Sequence, residues 1–168
     1  MILVRDMRLD DCGAVAEVRV RGWQAAYAGL MPQAYLDAMN VPADAERRRE
    51  LFRAAAPGVR NLVAERDGTV VGWGCVGPSR DADAPGTELY ALYVHPAHWS
   101  CGAGHALLTE ILALNGDAPL CLWVVTGNTR ARRFYERAGF APDGTSEPFV
   151  VDGTPVPELR YARRAAHA

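Results

Sequence analysis

One stretch of the sequence limits the fold more than any other: an extended run that meets a glycine-rich turn and continues as a helix. Glu88–Val94 predicts a strand, His95-Pro96 ends it, and Gly102 and Gly104 open a helical pattern that stops at Asn115-Gly116. The first turn of a helix presents free N–H groups at the positive end of its dipole, and glycines let an anion come close. A diphosphate suits such a turn, although Gly-x-Gly alone also fits a turn that binds no ligand.

The rest of the pattern sets this turn in an α/β fold. Leu120–Val125 is a continuous apolar run, which is typical of a strand buried on both faces. Asn61–Glu65 and Thr69–Val76 flank the turn signal Asp67-Gly68 and predict a hairpin. The order of strand, helices, three strands, helix, strand, helix and further strands predicts one domain over residues 1–168. Its core would be a central mixed α+β sheet of about six or seven strands flanked by helices.

The segments around this centre are predicted from caps and turn signals. The chain before the hairpin predicts three helices: one after Asp10-Asp11, a short one from Pro32 and a third over Ala43–Ala56. The loop Pro78–Gly86 is polar and rich in breakers, which predicts a mobile segment. The tail, Phe140–Arg164, predicts two or three strands around an Asp-Gly turn.

Composition excludes several classes of protein. Hydrophobic residues make up 49% of the chain, which is too apolar for disorder. All 18 basic residues are arginine, and they face 20 acidic residues for a net charge of -2. No general positive field therefore argues for a nucleic-acid partner. No apolar run approaches the ~20 residues of a membrane helix, and the first residues lack a signal-peptide pattern. We therefore expect a cytoplasmic protein without membrane contact.

The cysteines and histidines predict neither a disulfide framework nor a metal site. The four cysteines lie far apart, which fits reduced thiols; they are Cys12, Cys75, Cys101 and Cys121. His95, His98, Cys101 and His105 have spacings that occur in metal sites. They straddle the glycine-rich turn, however, and one ion could not gather them without blocking it, so no metal is expected.

A second motif lies on the C-terminal side of the glycine-rich turn. Residues 128–140 read NTRARRFYERAGF, and residues 92–108 read LYVHPAHWSCGAGHALL. The two segments resemble motifs of the GNAT superfamily of acyl-CoA-dependent N-acyltransferases. Residues 92–108 look like the central CoA motif, and residues 128–140 like the N-x-x-A-x-x-F-Y-E-x-x-G-F signature. The resemblance is strong over residues 88–140 and loose elsewhere.

The resemblance implies the GNAT fold and N-acetyltransferase chemistry. An acetyl group would pass from acetyl-CoA to a primary amine by direct attack in a ternary complex. The amine would belong to a small molecule or a peptide, which the residues do not identify. Two alternatives stay open: a catalytically silent acyl-CoA-binding module with the same fold, and another donor such as succinyl- or propionyl-CoA. A homodimer is a reasonable expectation for such an enzyme.

The resemblance also implies which residues bind acetyl-CoA. The backbones of Leu92, Tyr93 and Val94 would hydrogen-bond the pantetheine arm. Asn128 would contact that arm or the acetyl group, cap its helix, or do both. The diphosphate would lie on the loop and the first helical turn, which comprise Cys101, Gly102, Ala103, Gly104, His105 and Ala106.

Two positions of this loop depart from the family pattern. Trp99 stands where the family usually has Gln or Arg, which removes one side-chain donor. Ser100 stands where Gly is frequent, and it restricts the backbone more than Gly would. Because backbone N–H groups do most of the diphosphate binding in this family, we expect weaker CoA binding rather than none.

Acetyl transfer to an amine needs a base and a proton donor. An alkylammonium has a pKa near ~10.4, so exposing its lone pair at neutral pH costs roughly 4–5 kcal/mol. A carboxylate can take that proton directly or through water. Glu88 matches the base of some family members, and otherwise is an ordinary strand-end carboxylate. Tyr135 would protonate or orient the departing thiolate, and otherwise is a core aromatic.

The resemblance also implies that the early helices line the acceptor side. Trp23 and Tyr27 would then contact the acceptor, the alternative being that they only pack in the core. The acidic side chains of Asp81, Asp83 and Glu88 would suit a cationic acceptor.

Overall fold

A computed structural model describes residues 1–164, and residues 165–168 of the predicted domain lie outside the described part. The helices are α1 (Cys12–Ala26), α2 (Gln33–Ala38), α3 (Val41–Arg53), α4 (Ala103–Asn115) and α5 (Thr129–Arg137). The strands are β1 (Ile2–Asp6), β2 (Arg60–Arg66), β3 (Thr69–Pro78), β4 (Thr87–Val94), β5 (Leu120–Val125), β6 (Ala141–Val151) and β7 (Thr154–Arg163). The predicted helices and strands are therefore present, with ends that shift by a few residues.

The strands form one mixed sheet in the order β1-β2-β3-β4-β5-β7-β6. Neighbours run antiparallel except β4 and β5, which run parallel. The hairpin between β2 and β3 turns at Asp67 and Gly68, whose φ values of 51° and 79° suit a two-residue hairpin loop. This mixed sheet with flanking helices confirms the predicted fold class.

The two parallel strands separate near the middle of the sheet. β4 pairs with β5 only through Thr87, Glu88 and Leu89, whereas β5 pairs along its whole length with β7. A bulge in the β3–β4 ladder leaves Tyr90 as an extra residue in β4, and bulges bend the strand that carries them. Tyr90–Val94 therefore present a backbone edge that no other described strand covers.

Apolar clusters on the two faces hold the sheet in place. One cluster joins α4 to the sheet through fully buried side chains such as Leu107, Ile111 and Leu122. The other joins α1 to β2 and β3 and includes Val15 and Val18. Each fully buried aliphatic side chain contributes about 1.5–3 kcal/mol relative to exposure, so both faces fix the strand edges from which the site is built.

Candidate active site

A cleft opens where β4 and β5 separate. Its volume is about 710 Å³, and it runs from the uncovered edge of β4 to the start of α4 and across to α5. Eight of the ten residues expected to bind the cofactor line it: Leu92, Tyr93, Val94, Gly102, Ala103, Gly104, His105 and Asn128. Of the other two, Cys101 packs against the core, and Ala106 donates its N–H to the Gly102 carbonyl.

The glycine-rich loop is shaped by two left-handed residues. Ser100 has a φ of 63° and Gly102 a φ of 91°. The first helical hydrogen bond runs from the Ala106 N–H to the Gly102 carbonyl at 2.9 Å. The N–H groups of the first helical turn before Ala106 therefore lie outside the helix ladder, at the positive end of α4. This arrangement can bind an anion such as a diphosphate.

Trp99, one of the two departures from the family pattern, anchors this loop. Its indole Nε1 donates to the carbonyl of Val94 at 2.9 Å, which ties the loop to the end of β4. The Arg130 guanidinium stacks 4.0 Å from the centre of the Trp99 ring, and both side chains line the cleft. A cation therefore stands beside the anion-binding loop although position 99 itself carries none. The sequence pattern alone fits Arg130 either on a solvated face or near the terminal phosphate of CoA, and the stacking on Trp99 shows that Arg130 lies at the cleft.

α5 carries the two predicted site residues on the far wall of the cleft. The Asn128 Oδ1 atom accepts the N–H of Ala131 at 3.2 Å, so Asn128 caps the helix. Its amide nitrogen is then the donor that it can offer to the cleft. Tyr135 lines the same cleft, packs on Phe134 and Phe140, and is 9% exposed. Burial raises the pKa of the Tyr135 phenol, with a further contribution from Tyr93, so the phenol keeps its proton and can donate it.

A second cavity of about 360 Å³ lies beside the cleft and shares part of its wall. Five residues line both: Tyr27, Leu89, Tyr90, Tyr93 and Trp123. The smaller cavity is further lined by Trp23, Met31, Arg80, Glu88, Val125, Glu147, Pro148, Phe149 and Glu158. The structure therefore brings Trp23, Tyr27 and Glu88 to one cavity that adjoins the cleft, and their roles as acceptor contacts and as the base stay predictions.

Glu88 is buried at this cavity and is held by Arg80. It is 1% exposed, and it accepts the backbone N–H of Arg80 at 3.0 Å and the Arg80 Nε–H at 3.2 Å. The same guanidinium lies 4.5 Å from the centre of the Tyr90 ring. The negative charge of Glu88 is thus matched by a neighbouring cation, and its role as the base stays a prediction.

Asp81 and Asp83 do not offer the free negative charge that was expected for a cationic acceptor. Asp83 pairs with Arg160 through two hydrogen bonds of 2.8 and 3.0 Å. Asp81 accepts from the Trp123 indole at 2.9 Å and lies 3.4 Å from Arg160. Sequence reasoning missed this partner because Arg160 is more than 70 residues away along the chain. The loop that was predicted to be mobile is instead tied to the sheet.

One group of side chains that could ligate a metal ion comes together in the described part of the chain. Asp81, Glu88 and Cys121 each bring a ligand atom to within 4.8 Å of the others, and the histidines near the glycine-rich turn form no such group within residues 1–164. The two carboxylates already accept hydrogen bonds, Asp81 from Trp123 and Glu88 from Arg80. These hydrogen bonds explain the trio without an ion, and of its three members Glu88 lines the smaller cavity.

Over residues 1–164, no helix is both long and apolar enough to span a membrane. All four cysteines are free thiols.

Comparison with known proteins decides the family. The sequence model of the acetyltransferase (GNAT) family matches residues 23–140. The chain belongs to the GNAT family. YuaI of Bacillus subtilis strain 168, called an uncharacterised N-acetyltransferase, is 28% identical over 95% of this chain and 91% of its own length. The probable N-acetyltransferase Rv2775 of Mycobacterium tuberculosis is also 28% identical, over 95% of this chain and 92% of its own.

A solved structure agrees with this assignment at the level of the fold. The PaiA N-acetyltransferase of Thermoplasma acidophilum, solved in complex with coenzyme A, superposes with a TM-score of 0.76. The match covers 98% of this chain and 99% of that one at 22% identity. The resemblance inferred from the two motifs is therefore confirmed, and this GNAT protein is an acyl-CoA-dependent acetyltransferase.

Proposed function

We propose that this GNAT protein transfers an acetyl group from acetyl-CoA to a primary amine by direct attack in a ternary complex. One observation carries the proposal: an uncovered strand edge, an amide-lined turn and a protonated tyrosine share one cleft, and an aromatic cavity adjoins it. These are the parts that a long anionic thioester and a second substrate need. The coenzyme A in the Thermoplasma PaiA structure supports acetyl-CoA as the co-substrate.

Acetyl-CoA binds along the cleft in this proposal. Its pantetheine amides pair with the free edge of Tyr90–Val94 as an added strand would. Its diphosphate accepts hydrogen bonds from the loop and the first turn of α4. Asn128 donates its amide nitrogen to the pantetheine arm or the acetyl group while its oxygen caps α5.

Direct attack is favoured by the position of the thiols. None of the four cysteines lines either cavity in the described chain, so an acetyl-cysteine intermediate has no thiol at the site. The shared wall of Tyr27, Leu89, Tyr90, Tyr93 and Trp123 lets an amine in the smaller cavity approach a thioester in the cleft. Holding both reactants at one junction supplies the proximity that the transfer requires.

The bond changes follow from this arrangement. The acceptor ammonium loses one proton to a carboxylate of the smaller cavity, and its lone pair forms a bond to the thioester carbon. The carbon–sulfur bond breaks, and sulfur takes the proton that Tyr135 donates. A second proton leaves the nitrogen and restores the phenol through solvent. The products are the acetylated amine, CoA with a free thiol, and one proton.

The test begins with calorimetric titration of acetyl-CoA, with Gly104 as the probe of the cleft. A Cβ at Gly104 would lie 3.6 Å from Phe134 and Val94, so Gly104→Ala fits the fold. The branched side chain of Gly104→Val crowds the diphosphate, so affinity for acetyl-CoA should fall by at least about 10-fold. Gly104→Ala is the matched control and should stay within about 3-fold of wild type. If Gly104→Val bound acetyl-CoA as tightly as wild type does, the diphosphate would not bind at this turn.

Thiol release separates the transferase from a silent binding module. Wild-type protein that binds acetyl-CoA and releases CoA thiol with an amine supports the proposal. Binding without thiol release across a broad panel of amines would favour the silent module instead.

Arg130 gives a second prediction about the cleft. Arg130→Gln should raise the dissociation constant of acetyl-CoA about 10-fold at low salt, because it removes the cation stacked beside the phosphate-binding loop. The loss should shrink as salt screens the charge. Arg133→Gln is the control: it makes the same change on the same helix at an exposed residue outside the cleft lining. Equal effects of the two variants would mean that Arg130 acts only through the overall surface charge and not through a contact with the phosphates.

A further inference from the structure

The smaller cavity carries two carboxylates without a partner. Glu158 on β7 stands directly opposite Glu147 on β6, and side chains opposed in this way have Cβ atoms about 4.5–5.5 Å apart. Neither carboxylate forms an ion pair or side-chain hydrogen bond within residues 1–164, and both line the cavity. Like charges placed opposite each other are destabilising. A cationic ligand between them would relieve that repulsion.

The other charged group of the cavity does not relieve it. Arg80 is the basic side chain of the lining, and it is already bound to Glu88 through its backbone N–H and its guanidinium. The pair Arg80–Glu88 is neutral as a unit, so Glu147 and Glu158 leave the cavity with a net negative charge.

The remaining wall of the cavity is aromatic. Its aromatic members are Trp23, Tyr27, Tyr90, Tyr93, Trp123 and Phe149. Trp23 lies at the centre of this group, with ring centroids at 5.1 Å from Tyr27, 6.4 Å from Tyr93 and 6.3 Å from Phe149. The buried indole Nε1 of Trp23 also lacks a hydrogen-bond partner among the described residues. Aromatic faces attract alkylammonium groups and bury apolar substituents.

We propose that the acceptor is an arylalkyl primary amine without a carboxylate beside its nitrogen, and that Glu158 is the base that takes its proton. This inference rests on the proposed function and names the substrate class of that site. The ammonium lies between Glu147 and Glu158, and its apolar body lies against the aromatic wall. Glu158 takes one ammonium proton, the nitrogen attacks the thioester, and Glu158 later releases its proton to solvent.

The environment of Glu158 favours this role over Glu88. Glu158 is half-buried and unpaired, whereas Glu88 is held by Arg80. Burial raises the pKa of the Glu158 carboxyl above its usual value, and Arg80 opposes the rise. The titratable and charged groups that line the same cavity are Arg80, Glu88, Glu147, Tyr27, Tyr90 and Tyr93. A carboxyl with a raised pKa is a stronger base once it is ionised, and it stops working as pH falls through that raised value.

The first arm of the test compares two amines that differ by one carboxylate. Thiol release with acetyl-CoA should give phenethylamine a kcat/KM about 100-fold above that of phenylalanine, because the α-carboxylate meets Glu147 and Glu158. Equal kcat/KM values for the two amines overturn the substrate class. So does a wild-type protein that binds acetyl-CoA and releases no thiol with phenethylamine.

The second arm compares two Glu→Gln changes. Glu158→Gln should lower kcat/KM for phenethylamine about 100-fold and remove the acid limb of its pH profile. Glu147→Gln removes the same charge from the exposed neighbour. It should lower kcat/KM for phenethylamine less than about 10-fold and keep the acid limb of the pH profile. An acid limb that survives in Glu158→Gln and disappears in Glu88→Gln overturns the assignment in favour of Glu88.

Two further readouts separate this inference from the proposed function and from a structural role. The affinity of Glu158→Gln for acetyl-CoA should stay within about 3-fold of wild type, since Glu158 lies outside the cleft. Its Tm at neutral pH should rise, because a half-buried carboxylate that faces another carboxylate is removed; a fall in Tm would indicate a structural role. If wild type fails to bind acetyl-CoA, the proposed function is rejected. Phenethylamine alone can then still be titrated by calorimetry. The cation site at Glu158 is supported only if Glu158→Gln binds phenethylamine at least about 10-fold more weakly than wild type does.

Discussion

Tyr135→Phe should lower kcat about 1,000-fold at saturating acetyl-CoA, within the range known for loss of a positioned acid or base. Tyr135 lines the cleft, and in the proposed reaction the departing CoA thiolate takes a proton there. Because the phenyl ring keeps its contacts with Phe134 and Phe140, the affinity for acetyl-CoA should change by less than about 3-fold. Steady-state kinetics and calorimetry measure the two quantities separately.

The pH dependence of kcat tests the same role from another side. Burial raises the pKa of the Tyr135 phenol above its usual value of ~10. The phenol therefore stays protonated throughout the neutral range, and its loss of a proton cannot cause an alkaline fall in kcat below about pH 10. An alkaline limb at lower pH that disappears in Tyr135→Phe would show that the phenol titrates as a free acid, against this assignment.

Tyr161→Phe is the matched control for Tyr135→Phe. Tyr161 is fully buried, and its hydroxyl accepts from Arg132 at 2.8 Å and donates to Glu136 at 2.9 Å. Removing that hydroxyl should cost stability, about 1–3 kcal/mol, while kcat stays within about 3-fold of wild type. Full turnover by Tyr135→Phe, or an equal loss in both variants, would remove the proton-donor role from Tyr135.

Local patterns account for what the sequence predicted well. Leu120–Val125 forms a strand with the predicted bounds because a continuous apolar run is stable only when both faces are covered. Asn128 and Gly102 each precede a helix for a local reason. The Asn128 side chain accepts a free N–H group of the first turn of α5, and Gly102 adopts a left-handed backbone before α4. The cleft residues follow from these same motifs.

The acceptor side depends on pairings that no local pattern contains. Glu158 lines the smaller cavity because β7 pairs with β5 and β6, and its position opposite Glu147 is set by the strand register. β4 separates from β5 where a bulge adds Tyr90 to β4, and a single sequence does not predict that bulge. One signal was available: strand alternation places Glu158 on the same face as Arg160 and opposite Leu159. Strand alternation identifies the sheet face on which Glu158 lies, but it does not identify Glu147 as the residue opposite it.

Arg160→Met should destabilise the protein by about 1.5–3 kcal/mol, since it removes a buried guanidinium that hydrogen-bonds three at least partly exposed carboxylates. Arg160 is 5% exposed, and it binds Asp81, Asp83, Asp143 and the Thr145 hydroxyl. The total free energy of unfolding of a protein is typically about 5–15 kcal/mol, so this loss is a large share of it. Chemical denaturation measures the change. Arg21→Met, which removes an exposed pair with Glu17, is the control and should cost no more than about 0.5 kcal/mol.

The same network predicts how the destabilisation depends on pH. The hydrogen bonds from Arg160 lower the pKa of Asp83, and they lower the pKa of Asp143 although burial opposes this. A carboxyl with a lowered pKa in the folded state stabilises the protein above its unfolded pKa of ~3.9 and loses that effect as pH falls through the folded value. The difference between wild type and Arg160→Met should therefore narrow below about pH 4. A difference that stays constant from pH 7 to pH 2 would assign the loss to packing alone.

Arg160 also links stability to the smaller cavity, the proposed acceptor site. By binding Asp81 and Asp83 it ties down the loop that carries Arg80, and Arg80 in turn holds Glu88 in the cavity wall. Loosening the loop should therefore raise the KM for an amine acceptor more than the dissociation constant for acetyl-CoA, because the cleft is built from β4, α4 and α5. Equal changes in both constants would mean that Arg160 supports the fold as a whole rather than the acceptor side.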